Sequence, residues 1–354
     1  MSLLVRDPGL LSLLVDHGRP RWRSLGVPVG GAADRAALAV GNALVGNPPD
    51  APAVEFTLTG PTIEADGPAA CAVFGAPFSL AVDGRPLTAG TTFTLEPGDV
   101  LRIGGTRSGV RGYLCAAGGF DAPEVLGSRS GLDPLKAGDV LSCRPSRCEP
   151  RGLGFAALPS PLEVHWRDPE NLGERGASAP RVHGDVTGAP TVLGGLTPPA
   201  RRALLHITQP GEGRRLRVLD GPQRDWFTDD RFFTQDYEVT PASNRMGLRL
   251  AGEPLARRPG ELLSEAVAPG AVQVTNDGRP VVLGVDGQTI GGYPKVAHVI
   301  RADLDVLAQL RPGERVRFVR VTPEEAEAAA RERAAVLGGW LARVRAADRP
   351  PVLG

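Results

Sequence analysis

Val54-Glu55-Phe56-Thr57-Leu58-Thr59-Gly60-Pro61 opens the stretch that decides the fold, and positions 54–103 read in full VEFTLTGPTIEADGPAACAVFGAPFSLAVDGRPLTAGTTFTLEPGDVLRI. Short apolar runs alternate there with turn signals: Thr59-Gly60-Pro61, Asp83-Gly84-Arg85-Pro86, and Pro97-Gly98-Asp99 ahead of Val100-Leu101-Arg102-Ile103. Runs of this length bounded by Gly, Pro and Asp predict strands joined by hairpins. The same phrases return later, with Asp277-Gly278-Arg279-Pro280 before Val281-Val282-Leu283 and Pro312-Gly313-Glu314 before the run from Arg315 to Val321. Either a two-fold pseudo-repeat of β units or the general preference of hairpins for Asp-Gly accounts for the recurrence.

Outward from that stretch, the 46 glycines and 34 prolines are spread through all 354 residues, as many short strands require. The length exceeds one ordinary core, so the reading expects a mainly β protein with an N-terminal β domain at 1–143, a linker at 144–203 and a C-terminal β domain at 204–354. Between Arg144 and Ala203 no apolar period holds, and the stretch from Glu170 to Gly188 reads as mobile. Helices are few: Asp34 to Val45, stopped by Gly46-Asn47-Pro48; Asp303 to Leu310; and one opened by the capping box Thr322-Pro323-Glu324-Glu325. The last carries an apolar stripe of Leu337, Trp340, Leu341 and Val344, with Gly338-Gly339 as a weakening pair.

Forty basic residues balance forty acidic ones, which removes any charge argument for nucleic acid or a membrane surface as partner. The expected partners are small molecules or proteins. Cys71, Cys115, Cys143 and Cys148 form no CxxC pair and read as buried thiols. The five histidines are dispersed without metal-ligand spacing, so no metal is predicted. No GxxxxGK[ST] and no GxGxxG after a strand occurs, leaving no conventional nucleotide cradle. Met1 to Val15 is interrupted by Arg6, Asp7 and Pro8 and shows no A-x-A site, and no run reaches the roughly 18 apolar residues of a membrane helix. A cytoplasmic location with no membrane contact is expected.

Chemistry is concentrated between Asn244 and Lys295. After the buried-type strand Val281 to Val285 comes Asp286-Gly287-Gln288-Thr289-Ile290-Gly291-Gly292-Tyr293-Pro294-Lys295, an acid, an amide, a hydroxyl, a phenol and an ammonium around two glycines that let backbone N–H groups approach a ligand. Asp286, Gln288, Tyr293 and Lys295 are the catalytic candidates; Thr289, Gly291 and Gly292 are assigned to substrate binding. A tight loop with no ligand has the same composition. Alternation places Asp286 and Gln288 on one face, beside Tyr293. Upstream, Asn244, Arg245 and Arg249 read as an anion clamp, since Arg suits bidentate contact with carboxylate, or as a strand with outward arginines. Ser264-Glu265 and Gln273 are not diagnostic. In the N-terminal half Gly127-Ser128-Arg129-Ser130 has the composition of an anion cradle, and Asp34 reads as a helix cap.

In order along the chain stand Val29-Gly30-Gly31-Ala32-Ala33-Asp34, Gly41 to Asn47, Glu55-Phe56-Thr57, Gly118-Gly119-Phe120, Gly127 to Ser130, Gly221-Pro222-Gln223, Asn244-Arg245-Met246-Gly247 and Gln288 to Pro294. This series resembles the biotin-dependent carboxyltransferase or allophanate hydrolase subunit 2 family, whose free-standing bacterial members are the C subunit of an ATP-dependent 5-oxoprolinase. The resemblance implies two cyclophilin-like β-barrel domains and companion subunits A and B, with ATP used by the assembled complex to open the lactam of 5-oxoproline to glutamate. Asn244 stands where the family commonly has Asp before Arg-Met-Gly, and Gly131-Leu132-Asp133-Pro134-Leu135-Lys136 replaces a Gly-rich segment.

Within that resemblance, Gln288, Thr289 and the Gly291-Gly292 amides are the groups that would polarise the lactam. The alternative is carboxyl transfer from carboxybiotin to a urea-like acceptor. Biotin would then ride on another chain, because neither Met1 nor Met246 flanks a lysine. A third alternative is a non-enzymatic regulatory partner of a kinase inhibitor.

Overall fold

A computed structural model of the chain describes residues 1–131, 133–150 and 214–346. The first residues of the expected linker, 144–150, fall within these; its remainder, with the stretch 170–188, lies outside the described residues, as does 204–213 of the expected second domain.

The N-terminal strands divide into two sheets around one core. The larger runs in the order Phe120–Asp121, Val140–Cys143, Ser2–Asp7, Thr62–Ala65, Val100–Thr106, Phe78–Val82, Arg85–Leu87. The smaller runs Ser12–Val15, Ala53–Thr57, Arg111–Ala116, Ala69–Gly75, Thr92–Leu95. Every pairing is antiparallel, and the inward positions Leu3, Val5, Phe56, Ile63, Val73, Leu95, Leu101, Ile103 and Leu114 fill the space between the sheets. In the C-terminal half, by contrast, seven strands close into a barrel: Arg214–Asp220, Lys295–Val299, Ala271–Val274, Pro280–Leu283, Gly247–Ala251, Tyr237–Val239 and Arg315–Arg320. Its core is Leu216, Val218, Val272, Val274, Val282, Val296, Val316 and Phe318, with Phe232 stacked on Phe318 at a centroid distance of 4.5 Å.

The recurring turn phrases do not all make the same turn. Pro97-Gly98 and Pro312-Gly313 do match: each has a glycine at positive φ, 90° and 86°, and closes with an N–H to carbonyl bond across four residues, the signature of a Pro-Gly turn. The two Asp-Gly phrases differ. Asp83 and Gly84 both have positive φ, 49° and 79°, and link strands directly as a two-residue hairpin, whereas at Asp277-Gly278 only the glycine is left-handed, in a longer loop closed by Thr275 N–H on Arg279 O at 3.1 Å. At these positions the recurrence is one of hairpin chemistry.

The helix expected over Asp34–Val45 is Arg35–Leu44, with Asp34 accepting from Ala37 N–H at 2.9 Å as its N-cap. Every residue from Ala36 to Leu44 is buried, because sheet covers one side and the C-terminal helix Pro323–Ala346 the other. That helix begins at a reciprocal capping box, Thr322 N–H on Glu325 Oε2 at 2.8 Å and Glu325 N–H on Thr322 Oγ1 at 3.2 Å. It runs unbroken through Gly338 and Gly339, and its stripe of Leu337, Trp340, Leu341 and Val344 crosses back to pack on Leu38, Val40, Leu44 and Tyr113 of the first half. The region expected as helix over Asp303–Leu310 is a 3-10 turn, Arg301–Asp303, followed by Leu304–Ala308. All four cysteines are thiols; Cys71, Cys115 and Cys143 are buried, and burial pushes the Cys143 thiol up to about 11. No helix among the described residues is long and apolar enough to cross a membrane.

Candidate functional site

Two polar clusters flank the loop that leaves the strand Pro280–Leu283, and they have opposite characters. The first lies where the halves meet. Ala53–Thr57 is buried almost throughout, yet carries Glu55, 1% exposed, and a carboxylate in such a place must be paired. Arg245 supplies the charge. Its Nη1 donates to Glu55 Oε1, its Nη2 to Gly31 O at 2.6 Å and Asp286 Oδ1 at 2.9 Å, and its Nε to Asp286 Oδ2 at 2.6 Å. Tyr113 Oη and Ala33 N–H donate to Glu55 Oε2 at 2.7 and 2.9 Å, and Arg111 stands 3.4 Å from Oε1. Burial works to raise the Glu55 pKa, but the Arg245 and Arg111 guanidiniums outweigh it and hold the carboxyl below its ordinary value.

The sequence points to Arg245 as part of a substrate clamp, and the structure gives it another occupation: every side-chain nitrogen donates inside the protein, and the residue is 8% exposed. Asn244 shapes the turn that delivers it, accepting from Met246 N–H at 2.8 Å. Arg249 lies on the strand Gly247–Ala251 facing solvent, away from Arg245, so the two arginines do not form one clamp. The seam is completed by Gly30 N–H on Val285 O at 2.9 Å, Arg35 N–H on Asp305 at 3.0 Å, and Gln309, which accepts from Val110 and Arg111 N–H at 2.9 Å each and donates to Asp34 at 2.8 Å.

The Gly127–Ser130 cradle does hold an anion, but an internal one. Asp16 accepts from Ser128 Oγ, Ser130 Oγ and Arg129 N–H, all at 2.6 Å, and from Gly18 N–H at 2.7 Å. Burial would raise its pKa, and these four donors bring it below the ordinary carboxylate value instead.

The second cluster sits on the outer wall of the barrel. Val272 and Val274 point into the barrel core, so alternation turns Gln273 outward, next to Lys295 in the paired register. A ribbon of two short strands, Glu265–Ala266 and Ile290–Gly291, covers them. Lys295 Nζ donates up to Glu265 of the ribbon, Gln223 Nε2 donates to the same carboxylate at 2.7 Å, Lys295 N–H donates to Gln223 Oε1 at 3.0 Å, and the exposed Gln288 donates from Nε2 to Gln273 Oε1 at 3.2 Å. Gln223 reaches this point because Gly221 lies against the neighbouring strand: a Cβ there would stand 2.2 Å from Lys295 O. Thr289 is buried and its carbonyl accepts from Val267 N–H at 3.0 Å; Gly292 and Tyr293, the latter 40% exposed, lie at the rim with Ile290 and Leu263.

The expected common face of Asp286, Gln288 and Tyr293 is therefore divided. Asp286 turns to Arg245, Gln288 to Gln273, and Tyr293 to solvent. The reason is the demand of the buried Glu55–Arg245 pair, which takes up the Asp286 carboxylate as a second counter-charge.

Residues 25–320 match the family model described as carboxyltransferase domain, subdomain A and B. The chain belongs to this carboxyltransferase-domain family. It is 33% identical to the 5-oxoprolinase C subunit of Escherichia coli over 90% of this chain and 91% of that protein. It is 29% identical to the urea amidolyase of Lachancea kluyveri over 90% of this chain and 17% of that protein. Among solved structures, the K. lactis urea amidolyase matches with a TM-score of 0.75 at 26% identity, covering 96% of this chain and 20% of the other. The chain thus spans nearly all of the Escherichia coli protein and a fifth or less of the two urea amidolyases.

In this carboxyltransferase-domain chain, the residues to which sequence reasoning assigns no site role are Glu55, Gln223, Glu265 and Gln273. Glu55 is detectable as a lone carboxylate inside an otherwise apolar strand. Gln273, within Ala271-Val272-Gln273-Val274, carries the same signal in weaker form, as an amide in a strand every residue of which is buried.

Proposed function

We propose that this chain is the C subunit of a cytoplasmic, ATP-dependent 5-oxoprolinase, working with subunits A and B to open the lactam of 5-oxoproline to glutamate. The observation that carries the reading is the end-to-end likeness to the Escherichia coli protein, which covers nine-tenths of both chains. The cluster beneath the ribbon supplies chemistry that suits it. A lactam presents a carbonyl oxygen that must be polarised before the amide can be opened, and positioned amide and ammonium donors do this in a water-poor site. Lys295 and Gln273 offer such donors from the buried wall and Gln288 from its exposed edge, with Thr289, Gly291 and Gly292 shaping the loop around them. ATP would be used by the assembled complex, and no residue of this chain is assigned to its phosphates.

Asp286 has no place in the catalytic set on this reading, because its carboxylate is held by Arg245. Tyr293 is kept as a rim contact. A second reading, carboxyl transfer to a urea-like acceptor from biotin on another chain, is favoured by the 96% coverage of this chain by the K. lactis urea amidolyase fold. The two are separated by assaying the chain with its partner subunits for 5-oxoproline-dependent ATP hydrolysis and, with a biotin carrier, for urea-dependent carboxyl exchange. The first reading expects turnover in the former only, and none from the chain alone. Robust 5-oxoproline-dependent hydrolysis by the chain alone, or urea-dependent exchange, would contradict it.

A further inference from the structure

Gln273 is 2% exposed, and its Nε2 finds no hydrogen-bond partner among the described residues. Other buried side-chain atoms share that condition, such as Trp340 Nε1 in the helix-packing core and Arg111 Nε at the seam, but the Arg111 guanidinium has the Glu55 carboxylate 3.4 Å away, whereas Gln273 is a neutral amide beside Gln288 and Lys295. Leaving an amide N–H unpaired in a buried place costs on the order of 1–3 kcal/mol, so a strand position that needs only a filler is better served by Met or Leu. The orientation of the amide is also set: Gln288 donates to its Oε1, which leaves the N–H groups as the side still open to a partner. Nε2 lies against Gly291, where a Cβ would stand only 2.5 Å away, so the ribbon can pass over the amide only by having no side chain there. Lys295, the cross-strand neighbour, brings the positive charge of the cluster to the same wall.

From this geometry we infer that Gln273 is the specificity-determining residue of the site, its Nε2 donating to a carbonyl oxygen of a small amide-type ligand, and that Gln288 is the positioning residue that fixes which end of the amide faces the ligand. The inference deepens the proposed function and rests on it for the identity of the ligand as a lactam; the recognition of a carbonyl oxygen stands on the cluster itself. A site that offers a hydrogen bond to a substrate atom rejects the analogue lacking that atom far more strongly than an apolar pocket does, because the buried donor is then left unpaired.

The test is a titration of the full chain, followed by ligand-observed NMR, with three probes: 5-oxoproline, 2-pyrrolidone and proline. The first two carry a ring carbonyl, and proline has the carboxylate and ring without it. The expected result is binding of 5-oxoproline and 2-pyrrolidone with proline at least about tenfold weaker. In Gln273→Met both carbonyl probes should lose at least about tenfold while the denaturation midpoint stays level or rises, since the variant removes an unpaired donor. Gln288→Leu should keep binding but narrow the preference for 5-oxoproline over proline. Equal binding of proline and 5-oxoproline, unchanged binding in Gln273→Met, a marked fall in its midpoint, or no binding of any probe at millimolar concentration would each overturn the inference. Its failure is distinguishable from failure of the proposed function: if the complex shows no 5-oxoproline-dependent ATP hydrolysis while the carbonyl probes still bind through Gln273, the reaction is misassigned and the residue is not.

Discussion

The seam around Arg245 and the cluster around Gln273 flank one loop, yet at the seam the central Arg245 has every side-chain nitrogen paired, while the Gln273 amide, between buried Lys295 and exposed Gln288, has a donor left over. At the seam each side-chain nitrogen of Arg245 is used, and Glu55 is met by two guanidiniums, a phenol and a backbone N–H. Under the ribbon Gln273 keeps its amide donor unpaired beside a lysine. A fully paired side chain such as Arg245 does the work of holding parts together, while an amide with a free donor, such as Gln273, keeps an interaction for something that arrives later.

The comparison breaks most visibly at Arg245. Arg245→Ala leaves Glu55 buried beside Arg111 alone and strands Asp286, so a loss of about 3–5 kcal/mol in unfolding free energy is expected, read from denaturant curves. The paired replacement Arg245→Met with Glu55→Gln removes both charges and should recover a large part of that loss. A seam variant that is fully stable and defective only in ligand binding would restore Arg245 to the clamp that its sequence context advertises.

A smaller effect is expected at Asp16, whose four donors are internal. Asp16→Asn removes the charge that Ser128, Ser130 and two backbone N–H groups converge on, and should cost on the order of 1–3 kcal/mol with no gain of anion binding at 127–130. Phosphate-dependent stabilisation of the native protein through that loop would contradict the assignment.

The seam also carries a pH dependence. Asp34 has its pKa raised from 3.8 to about 7, first by burial and then by the Asp305 carboxylate, against the opposing help of Gln309, the Ala37 N–H and Arg333. A carboxyl raised in the folded state takes up a proton on folding, so its contribution to stability is complete below 3.8 and is lost as the pH rises through about 7. Asp34→Asn keeps a competent helix cap and removes the titration. Its unfolding free energy should therefore fall less than the wild type's between about pH 5 and about pH 8, a difference that parallel denaturation series will show or refute.

Much of this architecture is legible in the sequence, and the reason lies in which forces act locally. Pro97-Gly98, Asp83-Gly84, the Asp34 cap and the Thr322–Glu325 box are set by backbone conformation and nearest neighbours, and each appears where its residues predict. The division of the N-terminal strands into two sheets, against the closed ring of the C-terminal ones, depends on long-range pairing that turn phrases do not encode. The site is half visible. Gln288 and Lys295 stand out by the crowding of polar types at a strand exit, but their partners Gln223, Glu265 and Gln273 come from 72, 30 and 15 residues away respectively, with Gln288 the reference for the last. Arg245 and Asp286 fall into the wrong company on sequence alone because Glu55, the buried carboxylate that draws Arg245 in and Asp286 after it, is 190 residues from Arg245.

The smallest stability effect and the largest functional one are predicted for the same substitution, so the most direct measurement is made on Gln273→Met alone: its denaturation midpoint and its affinity for 5-oxoproline, determined on one preparation beside the wild type. The expected result is a midpoint level with or above the wild type and an affinity at least about tenfold weaker. A lowered midpoint with unchanged affinity would make Gln273 another structural residue like Arg245 and would remove it from ligand recognition.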